Sequence, residues 1–407
     1  FGKLPIWRPY FYKAGMGSAC PLDAALSLGE DSYSDMLREM STYLGVNGVY
    51  HKVCDSLERF LGLRLSSRVV QEQILTDAVD VGAYYEQKPA PTVAAEAAVL
   101  VVQADGKGVP LIVEAETPPP LRLSKGQKRG HKKEAIVTAA YTIAPTPRTP
   151  EAVLASYYKL SAATEKRGVE HPAPQNKHVW ATLDGKDTAL ERLVQHIRTR
   201  EGSHIQQRVA LCDGCEALQT RIASYFPNYA QILDFIHANE YLWDVATVLL
   251  GEDDQKRLPW MIQHTHQLLA GETGAVIAEF RDLAAQPSTK ACQRAQLTQT
   301  ANYFERNLPY MDYATYLAHG WPIASGVIEG ACRHFVKDRC ELSGMRWSLQ
   351  GADCLLRLRA VAENDDWEAY HTYRKRQRHE RLYNQPYPQL VPVELLALTP
   401  ETLAIAA

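Results

Sequence analysis

Val99-Leu100-Val101-Val102-Gln103-Ala104 runs directly into Asp105-Gly106-Lys107-Gly108 and then into a second apolar run, Val109 to Val113. A short aliphatic run rich in β-branched residues suits a buried strand, and Asp-Gly suits a tight turn. The segment therefore predicts strand, turn, strand, with Asp105 at a strand end. The pattern repeats outward from it. Lys125, Lys128, Arg129, Lys132 and Lys133 form a basic segment that Gly126 and Gly130 keep irregular, and Ala135 to Ile143 returns to strand character. His178 to Leu183 is a further strand, followed by a helix with Leu190, Leu193, Val194 and Ile197 on one face. Val209 to Cys212 ends on Asp213-Gly214, and Ala230 to Leu233 ends on Asp234, ahead of Phe235-Ile236-His237. Strands alternating with helices predict an α/β fold, and strand ends are where such folds place their chemistry. Each Asp-Gly taken singly also suits a plain turn.

Upstream of this block the chain reads as helical. Met36, Met40, Tyr43 and Leu44 share one helix face. A second helix is expected from Val49 to Leu61, stopped by Gly62, and a third from about Arg68 to Tyr85 behind Ser66 and Ser67. Helix, short turn and Ser-capped helix make a helix-turn-helix outline, in which Arg64, Arg68 and Gln71 would reach DNA. The pattern by itself fits an ordinary helical hairpin better. Downstream, residues 240–308 are helical in composition. Ser325-Gly326-Val327-Ile328-Glu329-Gly330 then opens a helix running to Arg339, with Ser325 as its N-cap.

Glu329 is a third acid beside Asp105 and Asp213. As a surface residue it would pair with Arg333. Turned toward the strand ends, it would complete a carboxylate cluster that divalent metal must neutralise. Oxygen-only ligands favour Mg²⁺ or Mn²⁺, and a pair of such ions supports phosphodiester chemistry. No Walker loop, dinucleotide fingerprint or nucleophile elbow competes with this reading.

The chain has 407 residues, with 44 Lys and Arg against 47 Asp and Glu, a formal net charge of −3. That balance excludes binding of nucleic acid through overall positive charge and leaves room for local basic patches. The eight cysteines are scattered, so no disulfide scaffold is expected, and Cys212-Asp213-Gly214-Cys215 reads as buried thiols rather than a zinc knuckle. No apolar run is long enough for a transmembrane helix, no signal peptide is visible, and a reducing intracellular setting is expected.

Asp105-Gly106-Lys107-Gly108-Val109-Pro110, the Lys125–Lys133 segment, Cys212-Asp213-Gly214, Asp234-Phe235-Ile236-His237, Ser325 to Gly330 and Ser343-Gly344-Met345-Arg346-Trp347-Ser348 occur in that order. Together they resemble an insertion-sequence transposase of the ISKra type, related to Mutator-like and other DDE transposases. The resemblance covers nearly the whole chain and is most specific from Glu329 to Trp347. It implies an RNase H-like mixed-sheet catalytic core interrupted by an all-helical insertion and preceded by a helix-turn-helix-like domain. The implied divisions are 1–90 for the N-terminal domain, 91–240 for the first part of the core, 241–320 for the insertion, 321–362 for the last core helix and 363–407 for a basic tail. Asp105, Asp213 and Glu329 match the catalytic acids and would hold two Mg²⁺ or Mn²⁺ ions. Asp234 and His237 match a secondary pair beside the site. Relatives often carry a cysteine pair ahead of Pro21-Leu22-Asp23; here only Cys20 precedes it, so no zinc module is expected.

The implied activity is metal-dependent cleavage at element ends followed by strand transfer into target DNA. Lys107, Arg333 and Lys337 are candidates to face the reacting phosphate. The Lys125, Lys128, Arg129, Lys132 and Lys133 segment, with Arg374 and Arg376 in the tail, would hold the DNA backbone, and Arg346 and Trp347 would contact bases. Trp347 suits a buried core position at least as well. The implied partners are double-stranded DNA, as terminal repeats and target, and further copies of the chain, in a bacterial cytoplasm at the nucleoid. The rival readings are an inactive or domesticated DNA-binding protein, or an RNase H-like nuclease without strand transfer.

Overall fold

The computed structural model describes residues 4–15, 17–112, 131–160, 172–342 and 344–384. Lys125, Lys128 and Arg129 lie outside these residues. The chain divides into two compact units, residues 1–87 with 365–407, and residues 88–364.

The first unit opens with an antiparallel ribbon, β1 (Phe11–Lys13) and β2 (Gly17–Ala19). Five helices follow: α1 (Pro21–Ala25), α2 (Asp35–Asn47), α3 (Tyr50–Leu61), α4 (Ser67–Asp77) and α5 (Val81–Gln87). α3 stops at Gly62, which takes the left-handed φ of 67°, and Ser66 caps α4 by accepting the Val69 N–H. The single helix expected from Arg68 to Tyr85 is two helices, broken at Ala78. Arg64 and Arg68 are exposed and pair with Glu58 at 2.7 Å and Glu72 at 2.8 Å.

A C-terminal helix, Trp367–Tyr383, packs within this unit rather than standing as a tail. A buried charge cluster ties it down: Arg374 lies 2.9 Å from Asp77, and Arg38 lies 3.5 Å from the same carboxylate. Burial pushes Asp77 up to about 6, against the pull of Arg374 and Arg38. Arg374 is 1% exposed. It was expected on the DNA backbone, but a guanidinium sealed against a buried carboxylate offers no face to a phosphate. Arg376, two residues on, is exposed.

The second unit is α/β. Its mixed sheet contains β3 (Val99–Leu111), β4 (His131–Ile143), β5 (Gln175–Thr182), β6 (Gln207–Cys212) and β7 (Ala230–Leu233), in the order β5-β4-β3-β6-β7. β4 pairs antiparallel with β3 and β5, whereas β6 is parallel to both β3 and β7. Successive β3 side chains alternate between two cores. Leu100, Val102 and Ala104 pack on one face with residues of α7 (Lys186–Arg198) and α8 (Glu216–Tyr225), which follow α6 (Pro150–Tyr157). Val99 and Val101 pack on the other with α9 (Phe235–Leu250), α10 (Asp254–Leu269), α11 (Thr273–Ala285), α12 (Ala291–Asn307) and α13 (Tyr313–Ala318). The helical stretch therefore shares one continuous core with the sheet.

Three expectations differ from the structure of this unit. Asp105-Gly106-Lys107-Gly108 is not a turn, because β3 runs on through it, paired from Val99↔Ile143 to Leu111↔His131. A Cβ on Gly106 would displace the Glu134 side chain, and one on Gly108 would come 3.0 Å from that of Lys132. Lys132 and Lys133 lie on β4, not in an irregular segment. The helix expected from Ser325 to Arg339 is α14 (Gly326–Gly330), a π-helical segment Ala331–Lys337 and α15 (Asp338–Cys340). α16 (Leu349–Glu363) completes the unit. Among the described residues no helix is long and apolar enough to cross a membrane.

Candidate active site

The parallel half of the sheet brings the acids together. Gln103 is the last residue of β3 paired with β6, opposite Leu211, and Cys212 at the end of β6 is opposite Leu233 at the end of β7. Continuing that register past the last paired residues, two steps along β3 and β6 and one along β7, sets Asp105, Asp213 and Asp234 in one row across three neighbouring strands, where adjacent chains run about 4.8 Å apart. Asp105 is thus mid-strand on its antiparallel side and beyond the end of pairing on its parallel side. Gly214 follows Asp213 with φ +80°, and a Cβ there would run into the Tyr303 hydroxyl. That hydroxyl donates to the Asp213 carbonyl at 3.1 Å, and the Cys215 N–H donates to Asp213 Oδ1 at 3.0 Å.

α14 crosses this row. The Ile328 N–H donates to Gln103 Oε1 at 3.0 Å, and Gln103 Nε2 donates to the Tyr141 hydroxyl at 3.2 Å. The Cys332 thiol donates to Asp105 Oδ2 at 3.1 Å, while the Gly106 N–H donates to Asp105 Oδ1 at 2.6 Å. The expected capping role of Ser325 is absent. Its hydroxyl instead donates to Glu329 Oε1 at 3.3 Å, and its N–H donates to Asp234 Oδ2 at 2.6 Å.

Glu329 is brought closest to the secondary pair. One ligand atom from each of Asp234, His237 and Glu329 lies within 4.8 Å of the others, a grouping suited to a metal ion. Asp234 is fully buried and caps α9, with Oδ1 accepting the Ile236 N–H at 2.6 Å and the His237 N–H at 3.2 Å. Burial pushes its acidity one way, and His237 and Ser325 outweigh it, so Asp234 sits below its ordinary value. Asp234 in turn raises His237 to about 9. The two side chains are 3.7 Å apart, an ion-pair separation longer than a hydrogen bond, and His237 Nδ1 is buried without a hydrogen-bond partner. Burial raises Asp105, and the Asp213 charge adds to the effect. Burial also raises Glu329, with Asp234 contributing. A bound cation would favour the charged forms of Asp105 and Glu329 and so offset both shifts.

The expected cationic residues divide. Lys107 is half-buried two positions beyond Asp105, and Arg333, Lys337 and Arg346 are exposed. Lys132 pairs with Glu341, and Lys133 is half-buried on β4. Trp347 is a core residue: its indole N–H donates to the Cys340 carbonyl at 3.1 Å, and its backbone bonds to Pro110 and Ile112 at the end of β3. An indole held this way has no face for a base. Gln103 and Cys332 were missed by sequence reasoning. A lone Gln inside an aliphatic run, two residues before Asp105, and a Cys one helical turn past Glu329 were the available signals.

No protein-family model matches the chain, and no curated protein matches it.

Proposed function

We propose that this chain is a metal-dependent DNA phosphoryl-transfer enzyme, a transposase of the kind its sequence resembles, built on an RNase H-like core. The observation that carries the reading is the row of Asp105, Asp213 and Asp234 on neighbouring strands, with Glu329 of a crossing helix beside Asp234 and His237. The strand order supports the RNase H-like assignment: three antiparallel strands in sequence order, then two parallel strands on the far side. The block α9 to α12 between the last strand and the Glu329 helix supports the helical insertion.

The donor chemistry fits divalent cations. Asp105, Asp213 and Glu329 offer hard oxygen ligands, and Asp234, His237 and Glu329 offer a mixed oxygen and nitrogen set in which His237 Nδ1 lacks a hydrogen-bond partner. Bound there, such ions supply a lowered pKa for water or a DNA 3′-hydroxyl and offset charge on the phosphate. The chain does the rest. Cys332 and Gly106 hold the Asp105 carboxylate, Cys215 holds Asp213, and Ser325 fixes Asp234 and Glu329 together. Lys107, Arg333 and Lys337 supply positive charge along the approach. Because Asp234 already caps a helix, it acts chiefly as the anchor that orients His237 and Ser325.

The test is incubation of DNA carrying a candidate terminal inverted repeat with wild type and with Asp213→Asn, in Mg²⁺, Mn²⁺ or chelator. Strand breakage by wild type in metal alone, lost in the variant, is expected. No metal-dependent breakage, or equal breakage by both, overturns the reading.

A further inference from the structure

A groove of about 830 Å³ opens on the helical block, lined by one face of α12 and by Tyr241 of α9. Its α12 residues include Arg294, Thr298, Asn302, Tyr303 and Arg306, a stripe at helical spacing. The backbone positions of Arg294 and Arg306 are about 18 Å apart along the helix axis. Each guanidinium is fixed by backbone carbonyls: Arg294 Nε donates to Ala284 at 2.9 Å, and Arg306 Nη2 donates to Gly214 at 2.9 Å. Tyr241 and Tyr303 stack with ring centroids 3.9 Å apart and planes 12° from parallel. The Arg306 guanidinium lies 5.5 Å from the Tyr303 ring. No carboxylate is among the lining residues, and Glu216 approaches Arg306 from outside at 4.0 Å.

From this geometry we infer that the groove binds a single-stranded segment of DNA and leads it to the acid row. Held guanidiniums match phosphates without paying the full ordering cost of a mobile side chain. An aromatic wall beside them suits unpaired bases, which stack without regard to sequence. The groove's volume falls within the range of roughly 300–1,000 Å³ of ligand-binding clefts. The groove ends at the site itself, since Tyr303 bonds the Asp213 carbonyl and Arg306 bonds the Gly214 carbonyl. A strand bound along α12 therefore arrives at Asp213. The delivery role rests on the proposed chemistry; the binding does not.

The experiment measures anisotropy of a labelled oligothymidine and of a hairpin duplex of equal length with the full chain. Chelator is present throughout, so that no cleavage enters. The variants are Ala295→Glu, which adds a charge at an exposed lining position and removes no hydrogen bond, and the double Arg294→Gln, Arg306→Gln. Arg221→Gln, a half-buried residue on α8 paired with Asp187, is the control. The groove predicts that each groove variant weakens single-strand binding about tenfold or more while duplex binding stays at the wild-type level, and that the control changes neither. Loss of two phosphate contacts also lowers the slope of log affinity against log salt by about 1.4, at about 0.7 per contact. Single-strand affinity unchanged in Ala295→Glu, with thermal stability at the wild-type value, overturns the proposal, as does an equal loss of duplex binding in the groove variants. Groove variants that lose single-strand binding, in a protein whose wild type never cleaves DNA, sink the catalytic reading and leave the groove standing.

Discussion

The Cys332 thiol lies 3.1 Å from Oδ2 of Asp105 and joins the acid-bearing helix region to the central strand. A thiol is a weak donor to a carboxylate, yet here it holds one oxygen of a raised, half-buried acid. Cys332→Ala removes that restraint. The expected result is a weaker Mn²⁺ affinity by about a factor of five, the worth of one hydrogen bond near 1 kcal/mol. Cys332→Ser keeps a donor and is expected to restore most of the affinity. Calorimetric titration of the three proteins checks this, and equal affinities throughout would remove Cys332 from any positioning role.

Gly214 carries the turn behind Asp213. Its φ of +80° and the nearby Tyr303 hydroxyl leave no room for a Cβ. Gly214→Ala is expected to cost about 2 kcal/mol or more, from the left-handed backbone alone about 1–2 kcal/mol. Denaturant midpoints measure it, and a wild-type midpoint contradicts the local geometry.

Arg374 separates a structural from a DNA-binding role. Removing one partner of a buried ion pair typically costs about 3–5 kcal/mol, so Arg374→Met is expected to destabilise the first unit strongly. Arg376→Ala, at an exposed position, is expected to leave stability within about 0.5 kcal/mol. Thermal melts of both variants decide it. A stable Arg374→Met protein with impaired DNA binding would reverse the assignment.

His178 and His196 stack at 4.0 Å within the second unit. Burial holds His178 well below its ordinary value, and the His196 ring beside it adds to this. Burial lowers His196 from 6.5 to about 3. Between those values the unfolded chain binds more protons than the folded one, so stability falls as pH drops from about 6.5 toward 3 and is fully present above 6.5. Each such group contributes up to about 1.4 kcal/mol per pH unit. His196→Leu is expected to flatten the fall in urea midpoint between pH 7 and about 5. An unchanged slope would show that His196 takes its proton as readily folded as unfolded.

Much of the second unit was legible in sequence because strand and helix periods are local. The short strands ending at Cys212 and Leu233 and the long helical block are all written in their apolar spacing. Asp105 was misplaced because Asp-Gly-Lys-Gly has the composition of a turn. The segment in fact pairs with Glu134 to Val137 across the ladder, a contact that no local window contains. The break at Ala78 carries no Gly or Pro to announce it. The burial of Arg374 was hidden because its partner Asp77 lies far away in the chain. The acids of the site were visible as strand-end residues. What drew Glu329 to Asp234 and His237 was not, since it depends on the Ser325 backbone and hydroxyl bonding both carboxylates.

The central claim is that the sheet edge holds divalent cations for phosphodiester chemistry. Its most direct measurement is Mn²⁺ binding to the full chain, counted by electron paramagnetic resonance, for wild type, Asp213→Asn and Glu329→Gln. Two bound ions in wild type and fewer in each variant, with Mg²⁺ competing, is the predicted result. An absence of specific Mn²⁺ binding in wild type, or the same binding in all three proteins, would contradict it.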